Sequence, residues 1–336
     1  MTMARRISKQ QQARIRAARE RRADKARSAQ GDTELPAEGS LGPEQEGRVI
    51  AHYGGQVDIR GQQHQQRCYL RTHLEDLVTG DRVVWRAGQD IGVVESILPR
   101  KSVLRRPDFQ GRPRCVAANL DQICVVLASE PEAHELLLDR YLVAAKLSEL
   151  KAVIVHNKID LPGSAELSQR LQIYRDLGYP VIEASSHSKD GLNALRQQCR
   201  DRVSVLAGQS GVGKSSLLNA LLPEADASVG ALSQAQSKGR HTTTHSQWFD
   251  LPEGGSLIDS PGIREFGLDQ YSEEELAQGF IEFEDLLGHC RFRDCRHRDE
   301  PGCALLEALE QGRISEQRWQ RFEHLRDAPA RDQRPF

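Results

Sequence analysis

The sequence predicts a multidomain α/β protein, with a small antiparallel β-domain before a mostly parallel α/β domain and a helical, metal-binding element after it. Three observations lead to this fold class. The chain of 336 residues exceeds one typical domain. Apolar strand candidates alternate with helical stretches over residues 121–261, as in a parallel sheet covered by helices. Short alternating segments precede this region, and a Cys/His cluster follows it.

The segment from about Gly47 to Leu104 has the pattern of short antiparallel strands. Its apolar alternations are separated by Gly and Asp turns and read QVDIR, RCYLRT, DRVVWRA and IGVVESIL. This pattern predicts a small β-barrel. In the RRPDFQGRPR stretch that follows, Pro107 and Pro113 disfavour regular helix or strand, so we interpret it as a basic linker.

The N-terminal segment is strongly basic. Residues 1–30 hold ten Lys or Arg and two acidic residues, a net charge of +8, whereas the whole chain carries −2. Together with the Gly-, Pro- and Glu-rich residues 31–46, they predict a disordered arm and linker. The arm is either simply solvated or a phosphate-binding segment. The remaining residues carry a net charge of −10, so nucleic acid would have to meet local basic patches.

Hydropathy and cysteine usage indicate where the protein works. No run of 18 apolar residues and no apolar secretory segment is present, so we expect a cytoplasmic protein with no membrane partner. The chain has seven cysteines, an odd number, and three of them are crowded near the C-terminus. This distribution favours metal binding over a disulfide framework.

The most specific motif is a phosphate-binding loop, GQSGVGKS, which follows the apolar strand VSVLA and precedes the helical SLLNALL. Backbone N–H groups of such a loop converge on phosphate oxygens, and the next helix adds its positive end. We expect Lys214 to contact the β- and γ-phosphates and Ser215 to ligate Mg²⁺. The loop residues predicted to bind nucleotide are Gly208, Gln209, Ser210, Gly211, Val212, Gly213, Lys214, Ser215 and Ser216.

A second motif predicts selection of guanine. NKID stands at the carboxyl end of the apolar strand AVIV, where open α/β sheets bind ligands. Asn157 opens this motif, Asp160 can accept hydrogen bonds from guanine N1 and N2, and the stem of Lys158 can lie along the ring. Adenine would leave these groups unpaired. The strand PVIEASS ends in Ala184 and Ser185, whose backbone could approach guanine O6.

Two elements after the phosphate loop have the chemistry of nucleotide-sensing switches. GRHTTTH supplies Thr243 as a mobile Mg²⁺ ligand, and in DSPG Asp259 would hold Mg²⁺ while the Gly262 N–H reads the γ-phosphate. In ordinary GTPases the phosphate loop comes first and the Asn-Lys-x-Asp and Ser-Ala elements come last. Here these two elements precede it, so the motif order is circularly permuted.

With these motifs in this order, the sequence resembles the circularly permuted small-ribosomal-subunit biogenesis GTPases, the RsgA or YjeQ family. The resemblance covers nearly everything after residue 45 and rests on NKID, GQSGVGKSS, GRHTTTH, DSPGIREFG and the later Cys/His cluster. It implies an OB-fold barrel and a GTP hydrolase that docks on the small ribosomal subunit and its rRNA during late maturation. We expect a monomer that binds GTP or GDP and is stimulated by the subunit.

On this basis we expect four regions. They are a disordered basic arm and linker over residues 1–46, an OB-fold RNA-binding domain over 47–108, a permuted P-loop GTPase domain over 109–268 and a zinc-binding helical domain over 269–336.

The group that activates the attacking water is not evident from the motifs. Ras-like enzymes use a Gln after the Asp-x-x-Gly glycine, but Ile263 stands there in this chain. His241, or alternatively His245, flanks the Thr run, and imidazole can orient water. We therefore predict catalytic roles for Lys214, His241 and Gly262, with slow intrinsic turnover. An alternative is a nucleotide-gated RNA-binding checkpoint module in which hydrolysis is incidental.

The C-terminal Cys/His cluster predicts a structural zinc site. Cys290, Cys295, His297 and Cys303 give C-x4-C-x-H-x5-C, a set of soft sulfurs and one imidazole that suits one tetrahedral Zn²⁺. His289 is an alternative nitrogen donor, but the pattern of the resembled family favours His297. A different hypothesis makes the cluster a redox sensor with reversible disulfides.

The flanks of this cluster carry two further expectations. Ser272 with Glu275 predicts the capping box of a helix that continues through Leu287. Arginines around the cluster form either a phosphate-contacting surface or a solubilising rim. They are Arg291, Arg293, Arg296 and Arg298.

Overall fold

In the computed structural model, the strands form one eleven-stranded sheet and a separate two-stranded hairpin. The structure describes residues 38–71, 74, 76–107, 112–186, 189–222, 246–259, 268 and 271–327. The basic arm therefore lies outside the described residues. Of the helices described, none combines the length and the apolar character needed to cross a membrane.

The strands begin at Glu44, three residues before the expected start of the barrel. They are β1 (Glu44–His52), β2 (Gln56–Arg60), β3 (Gln65–Leu70), β4 (Arg82–Arg86), β5 (Gly92–Ile97), β6 (Val103–Pro107), β7 (Pro113–Ala118), β8 (Gln122–Leu127), β9 (Lys151–His156), β10 (Val181–Glu183), β11 (Val203–Ala207), β12 (Gln247–Asp250) and β13 (Ser256–Asp259). The helices are α1 (Glu135–Leu147), α2 (Ser164–Arg170), α3 (Gln172–Asp176), α4 (Lys189–Cys199), α5 (Lys214–Leu221), α6 (Glu273–Gln278), α7 (Ala304–Glu310) and α8 (Glu316–Asp327).

Strands β1 to β5 close into the predicted barrel, because β4 returns to pair with β1 in the order β1-β2-β3-β5-β4. The pairing of β3 with β5 is parallel, so the expectation of a purely antiparallel domain was wrong at this pair. Alternate side chains such as Val57, Ile59 and Trp85 fill the interior. A Cβ on Gly47 would lie 2.6 Å from the Trp85 Nε1 atom, so this glycine lets β1 pass directly over the indole.

The RRPDFQGRPR stretch, interpreted above as a linker, contributes to a β-hairpin. Strands β6 and β7 pair antiparallel, with Arg106 opposite Arg114 and Pro107 opposite Pro113. The linker interpretation was wrong because both prolines stand at strand ends, where a missing N–H interrupts no interior ladder. Leu104 is buried in the main core, and the hairpin lies across the expected domain boundary at residue 108.

The α/β half of the sheet has the order β10-β9-β8-β11-β13-β12. All neighbours in it are parallel except β12, which pairs antiparallel with β13 and was not predicted. The five predicted strands are confirmed. In the central strand β8, Ile123 and Val125 face one apolar core while Cys124 and Val126 face the other. Burial on both faces explains the continuous apolar run.

Barrel and α/β sheet form one continuous structure at β1. Ala51 of β1 is the register partner of Gln247 at the start of β12. Asn119 reinforces this joint, since its Nδ2 donates to the Gly80 carbonyl at 3.0 Å. The backbone is tightly packed here, because a Cβ on Gly80 would lie 2.2 Å from the Ala118 carbonyl oxygen.

Helix α6 begins with the predicted capping box, in which the Ser272 side chain accepts from the Glu275 N–H and Glu275 accepts from Ser272. The helix ends at Gln278, so the expected continuation through Leu287 was wrong. A Cβ on Gly279 would lie 2.5 Å from Val143 Cγ1 of α1. The chain is therefore so close to α1 at this point that a further helical turn with larger side chains would not fit. The chain becomes extended at Phe280 and turns that ring into the core.

A buried ion-pair network fastens the C-terminal helices to α1. The Arg318 guanidinium of α8 pairs with Asp139 of α1 and donates through Nε to Glu282 at 2.6 Å. The Tyr174 hydroxyl donates to Asp139 at 2.8 Å. Burial alone would lower the pKa of Arg318, but the negative charges of Asp139 and Glu282 outweigh it and raise that pKa. The guanidinium therefore stays charged inside the core.

Replacing Arg318 with Met should destabilise the protein, because Asp139 and Glu282 would lose their buried partner. Breaking such a pair costs about 3 kcal/mol or more. We expect a loss of that size in the free energy of unfolding, measured by urea titration with circular dichroism. Arg313→Met is the matched control, since Arg313 is exposed and its side chain bonds only to Gln311 among the residues described. A loss below about 1 kcal/mol for Arg318→Met would contradict the role of the network.

Candidate functional site

The phosphate-loop motif forms a tight turn between β11 and α5. Three glycines adopt positive φ angles, which are +135° at Gly208, +85° at Gly211 and +95° at Gly213. Residues that carry a side chain rarely adopt this region. A Cβ on Gly208 would lie 2.2 Å from the Val126 carbonyl oxygen, so no larger residue fits against β8. These angles curve the loop so that its backbone is concave at the start of α5, a geometry that binds anions.

Lys214 opens α5 and its side chain folds back over the loop. Its Nζ donates to the carbonyl oxygens of Gly208 at 2.7 Å and Gln209 at 2.6 Å. Leu217 and Leu221 anchor α5 in the core below the sheet. A cationic group and the positive end of a helix thus meet at one place, which suits a polyphosphate.

The Asn-Lys-x-Asp motif directly contacts this loop. Asn157 follows β9, is buried, and donates through Nδ2 to the Val212 carbonyl at 2.8 Å across 55 residues of sequence. A Cβ on Gly213 would lie 2.4 Å from the same Nδ2 atom, so the two backbones are in close contact. The structure therefore brings the two most informative motifs into one site.

Lys158 extends along the wall of the site formed by the β8–α1 loop. It has a positive φ of 59°, and its Nζ donates to the Glu130 carbonyl at 2.8 Å. A Cβ on Gly211 would lie 3.5 Å from Pro131 Cδ, which shows that this loop also borders the phosphate loop. Nothing in the sequence had singled out this loop, because it contributes backbone and an apolar ring.

The end of β10 lies beside the same motif. The Ala184 N–H donates to the His156 carbonyl at 2.8 Å, and Ile159 N–H donates to the Ala184 carbonyl at 3.4 Å. Ala184 and Ser185 are both buried, whereas Asp160 is exposed. The strand end and the NKID turn therefore border one edge of the sheet, where Asp160 is exposed.

The predicted switch elements are only partly described. Asp259 ends β13, the parallel neighbour of β11, so it stands at the same edge of the sheet as the phosphate loop. Ser215 is in the first turn of α5. Thr243, His241 and Gly262, together with His245 and Ile263, lie outside the described residues.

The C-terminal cluster brings four metal-ligating atoms together within 4.8 Å of one another. The His297 Nδ1 atom is 3.6 Å from the sulfurs of Cys290 and Cys295 and 3.3 Å from that of Cys303. The Cys290 and Cys303 sulfurs are 4.0 Å apart. Tetrahedral Zn²⁺ at ordinary bond lengths requires about 3.8 Å between sulfurs and about 3.6 Å from sulfur to nitrogen. His289, the alternative donor, is exposed and outside this group.

Surrounding groups hold the metal loop in shape. Glu300 accepts backbone N–H bonds from Arg298 at 2.8 Å and Arg296 at 2.9 Å, and these bonds lower the pKa of Glu300 to about 2. Arg326 of α8 donates to the His297 carbonyl at 3.1 Å. Burial lowers the pKa of His297, which favours the neutral imidazole that binds metals. The sequence did not indicate Glu300 or Arg326, because their partners within the metal loop are backbone atoms.

Comparison with known proteins gives one consistent family. A family model described as RsgA GTPase matches residues 97–269. The small ribosomal subunit biogenesis GTPase RsgA of Ectopseudomonas mendocina (strain ymp) is 54% identical over 296 residues, which cover 85% of this chain and 86% of the relative. The protein of the same name from Pseudomonas aeruginosa (strain LESB58) is 52% identical over 328 residues, or 96% of each chain.

Two solved structures resemble most of the chain. The crystal structure of YjeQ from Thermotoga maritima aligns with a TM-score of 0.68 at 32% identity and covers 85% of this chain and 100% of that chain. The structure of YloQ, described as a circularly permuted GTPase, aligns with a TM-score of 0.66 at 27% identity and covers 88% and 97%.

Gly213→Ala should disrupt the site, because the new methyl group would displace the Asn157 amide from the phosphate loop. We expect at least a tenfold loss of affinity for a fluorescent guanine nucleotide, measured by titration. Gly178→Ala is the matched control, since Gly178 also has a positive φ of +88° but, apart from its chain neighbours, no atom of the described residues lies within 4 Å of its Cβ position. Equal affinity in the two variants would contradict the role of the close contact between Gly213 and Asn157.

Proposed function

The chain belongs to the RsgA GTPase family, and from this we propose that it is a GTP hydrolase that binds the small ribosomal subunit and acts in its biogenesis. The observation that carries the proposal is the 2.8 Å hydrogen bond from the Asn157 amide to Val212. It joins a base-selecting motif to a phosphate-binding loop, as a site for one nucleotide requires. Relatives named for small-subunit biogenesis support the partner.

Each described residue of the site has a specific role in this proposal. The loop from Gly208 to Ser216 wraps the phosphates with its backbone N–H groups, and Lys214 exchanges its two carbonyl partners for phosphate oxygens. Asp160 accepts from N1 and N2 of guanine while the Lys158 stem covers the ring. Backbone at Ala184 and Ser185 lies at the strand end where guanine O6 would be recognised, and adenine would leave these groups without partners.

Two metal ions are part of the proposal. Ser215, Thr243 and Asp259 would hold Mg²⁺, which neutralises charge on the phosphates when bound. One structural Zn²⁺ per chain fits the Cys₃His cluster, since the sulfur-rich donor set favours zinc over harder cations and four protein ligands close the site.

Catalysis in this proposal depends on stimulation by the partner. Ile263 occupies the position of the water-orienting Gln, so intrinsic hydrolysis should be slow. In this proposal His241 orients the attacking water and the Gly262 N–H reads the γ-phosphate. We further infer a cytoplasmic monomer, whose barrel and metal loop contact rRNA on the subunit.

Steady-state hydrolysis of GTP and ATP, with and without purified small ribosomal subunits, tests this function directly. We expect slow, GTP-selective turnover that subunits raise at least tenfold and that Lys214→Ala abolishes. Lys151→Ala is the matched control, because Lys151 is exposed at the opposite end of β9.

The possible outcomes separate the parts of the proposal. Equal turnover of ATP would contradict guanine selection, and a fully active Lys214→Ala variant would contradict the assigned site. If subunits bound in a GTP-dependent manner without raising turnover, the alternative of a nucleotide-gated RNA-binding checkpoint would replace the hydrolase.

Metal analysis of protein purified under reducing conditions should give one zinc per chain. Cys295→Ser should lower this content to well below half, because it removes one of four ligands. Cys115→Ser is the control, since that thiol lies outside the cluster. Absence of zinc combined with a reversible disulfide among the cluster cysteines would instead support the redox-sensor hypothesis.

A further inference from the structure

Phe292 exposes an aromatic ring on the metal-binding loop. Its side chain is 43% exposed, and among the described large apolar side chains only Tyr53, at 38%, is comparably exposed. A single exposed apolar residue is common and has no meaning by itself. The surroundings of this ring, however, differ from those of an ordinary surface residue.

The backbone around Phe292 is anchored on both sides. Cys290 and Cys295, two of the four clustered ligands, lie on either side of it in sequence. The Arg291 N–H donates to the Gly302 carbonyl at 2.9 Å, and a Cβ on Gly302 would lie 2.9 Å from the Arg291 Cβ. The loop therefore presents the ring from a constrained position, which lowers the entropy lost when a partner covers it.

Arginines flank Phe292 in sequence on the metal-binding loop. Arg291, Arg293 and Arg296 are exposed, and their guanidinium groups form no ion pair with any residue that the structure describes. By contrast, Arg298 is held by Glu273 at 3.3 Å and Asp327 at 3.1 Å. The Arg291 guanidinium carbon lies 5.6 Å from the centroid of the Phe292 ring. Three arginines without an ion pair among the described residues thus lie within four positions of the accessible ring in sequence, and one of them contacts it.

We propose that Phe292 is a stacking platform for an unpaired RNA base and that Arg291, Arg293 and Arg296 contact the flanking phosphates. Stacking on aromatic rings combined with phosphate contacts is how proteins hold single-stranded nucleic acid. Bases within a duplex are already stacked on each other, so the ligand is a loop, bulge or strand end. The inference rests on the proposed function, which supplies rRNA as the partner, and specifies how this loop recognises it.

Photocrosslinking of the zinc-loaded full chain to a single-stranded RNA dodecamer carrying 5-iodouridine locates stacked residues. Because the arm and barrel are also candidate RNA-binding segments, the crosslinked residue is identified by peptide mass spectrometry. We expect a crosslink at Phe292. Crosslinks found only at other residues would overturn the proposal.

Affinity for the same dodecamer gives a second measurement, by fluorescence anisotropy. Phe292→Leu keeps apolar volume without a π face and should weaken binding at least fivefold, since one stacked base contributes about 1–3 kcal/mol. Phe292→Trp keeps an aromatic face and should bind the dodecamer as tightly as the unaltered protein. Arg293→Ala should instead lower the salt dependence of binding, an effect that Phe292→Leu should not have. Zinc content of each variant reports whether the loop is intact.

The outcomes distinguish this inference from the proposed function. Loss of affinity in Phe292→Leu that Phe292→Trp does not restore, with zinc retained, would overturn the stacking role. So would preference for an RNA duplex or for a poly-glutamate peptide over the dodecamer. If subunits still stimulate GTP hydrolysis in those cases, only the stacking inference fails. If Phe292 crosslinks to the RNA but subunits do not stimulate GTP hydrolysis, the proposed function fails and the stacking inference stands.

Discussion

The hydrogen bond between the Asn157 amide and the Val212 carbonyl is the contact on which the site depends. It requires the carboxyl ends of β9 and β11 to meet at one edge, with β8 between them. Neighbouring parallel strands satisfy that requirement regardless of the order in which they follow one another in the sequence. Circular permutation therefore changes the connections between strands without changing the edge at which the motifs meet.

Sequence patterns were most informative where chemistry and periodicity coincide. The strands β8, β9, β11 and β13 are short apolar runs, and a motif follows three of them. The wrong expectations concerned strand pairing and packing between elements. Pairing of β6 with β7 depends on register, and the early end of α6 depends on the approach of Gly279 to Val143 of α1. Neither contact leaves a local signal in composition.

The same distinction applies to the two candidate sites. Spacing of Cys and His indicated a metal cluster because ligands must be particular residue types. The side chains that hold the cluster in shape, Glu300 and Arg326, bind backbone atoms of the metal loop, and Arg326 is 29 residues away from His297 in sequence. Likewise, Glu130 contributes only a carbonyl to Lys158. Sequence reasoning identifies donors with specific chemistry and misses supports that any residue with suitable geometry could supply.

The joint between barrel and sheet has a mechanical consequence. Ser246 directly follows the GRHTTTH segment, and its carbonyl accepts from the Thr79 hydroxyl at 3.2 Å and the His52 N–H at 3.4 Å. The barrel is thus attached at the exit of the Thr-rich segment, rather than at the remote end of the sheet. Any displacement of Ser246 is therefore transmitted directly to β1, so the position of the barrel and the position of the first residues of β12 are coupled.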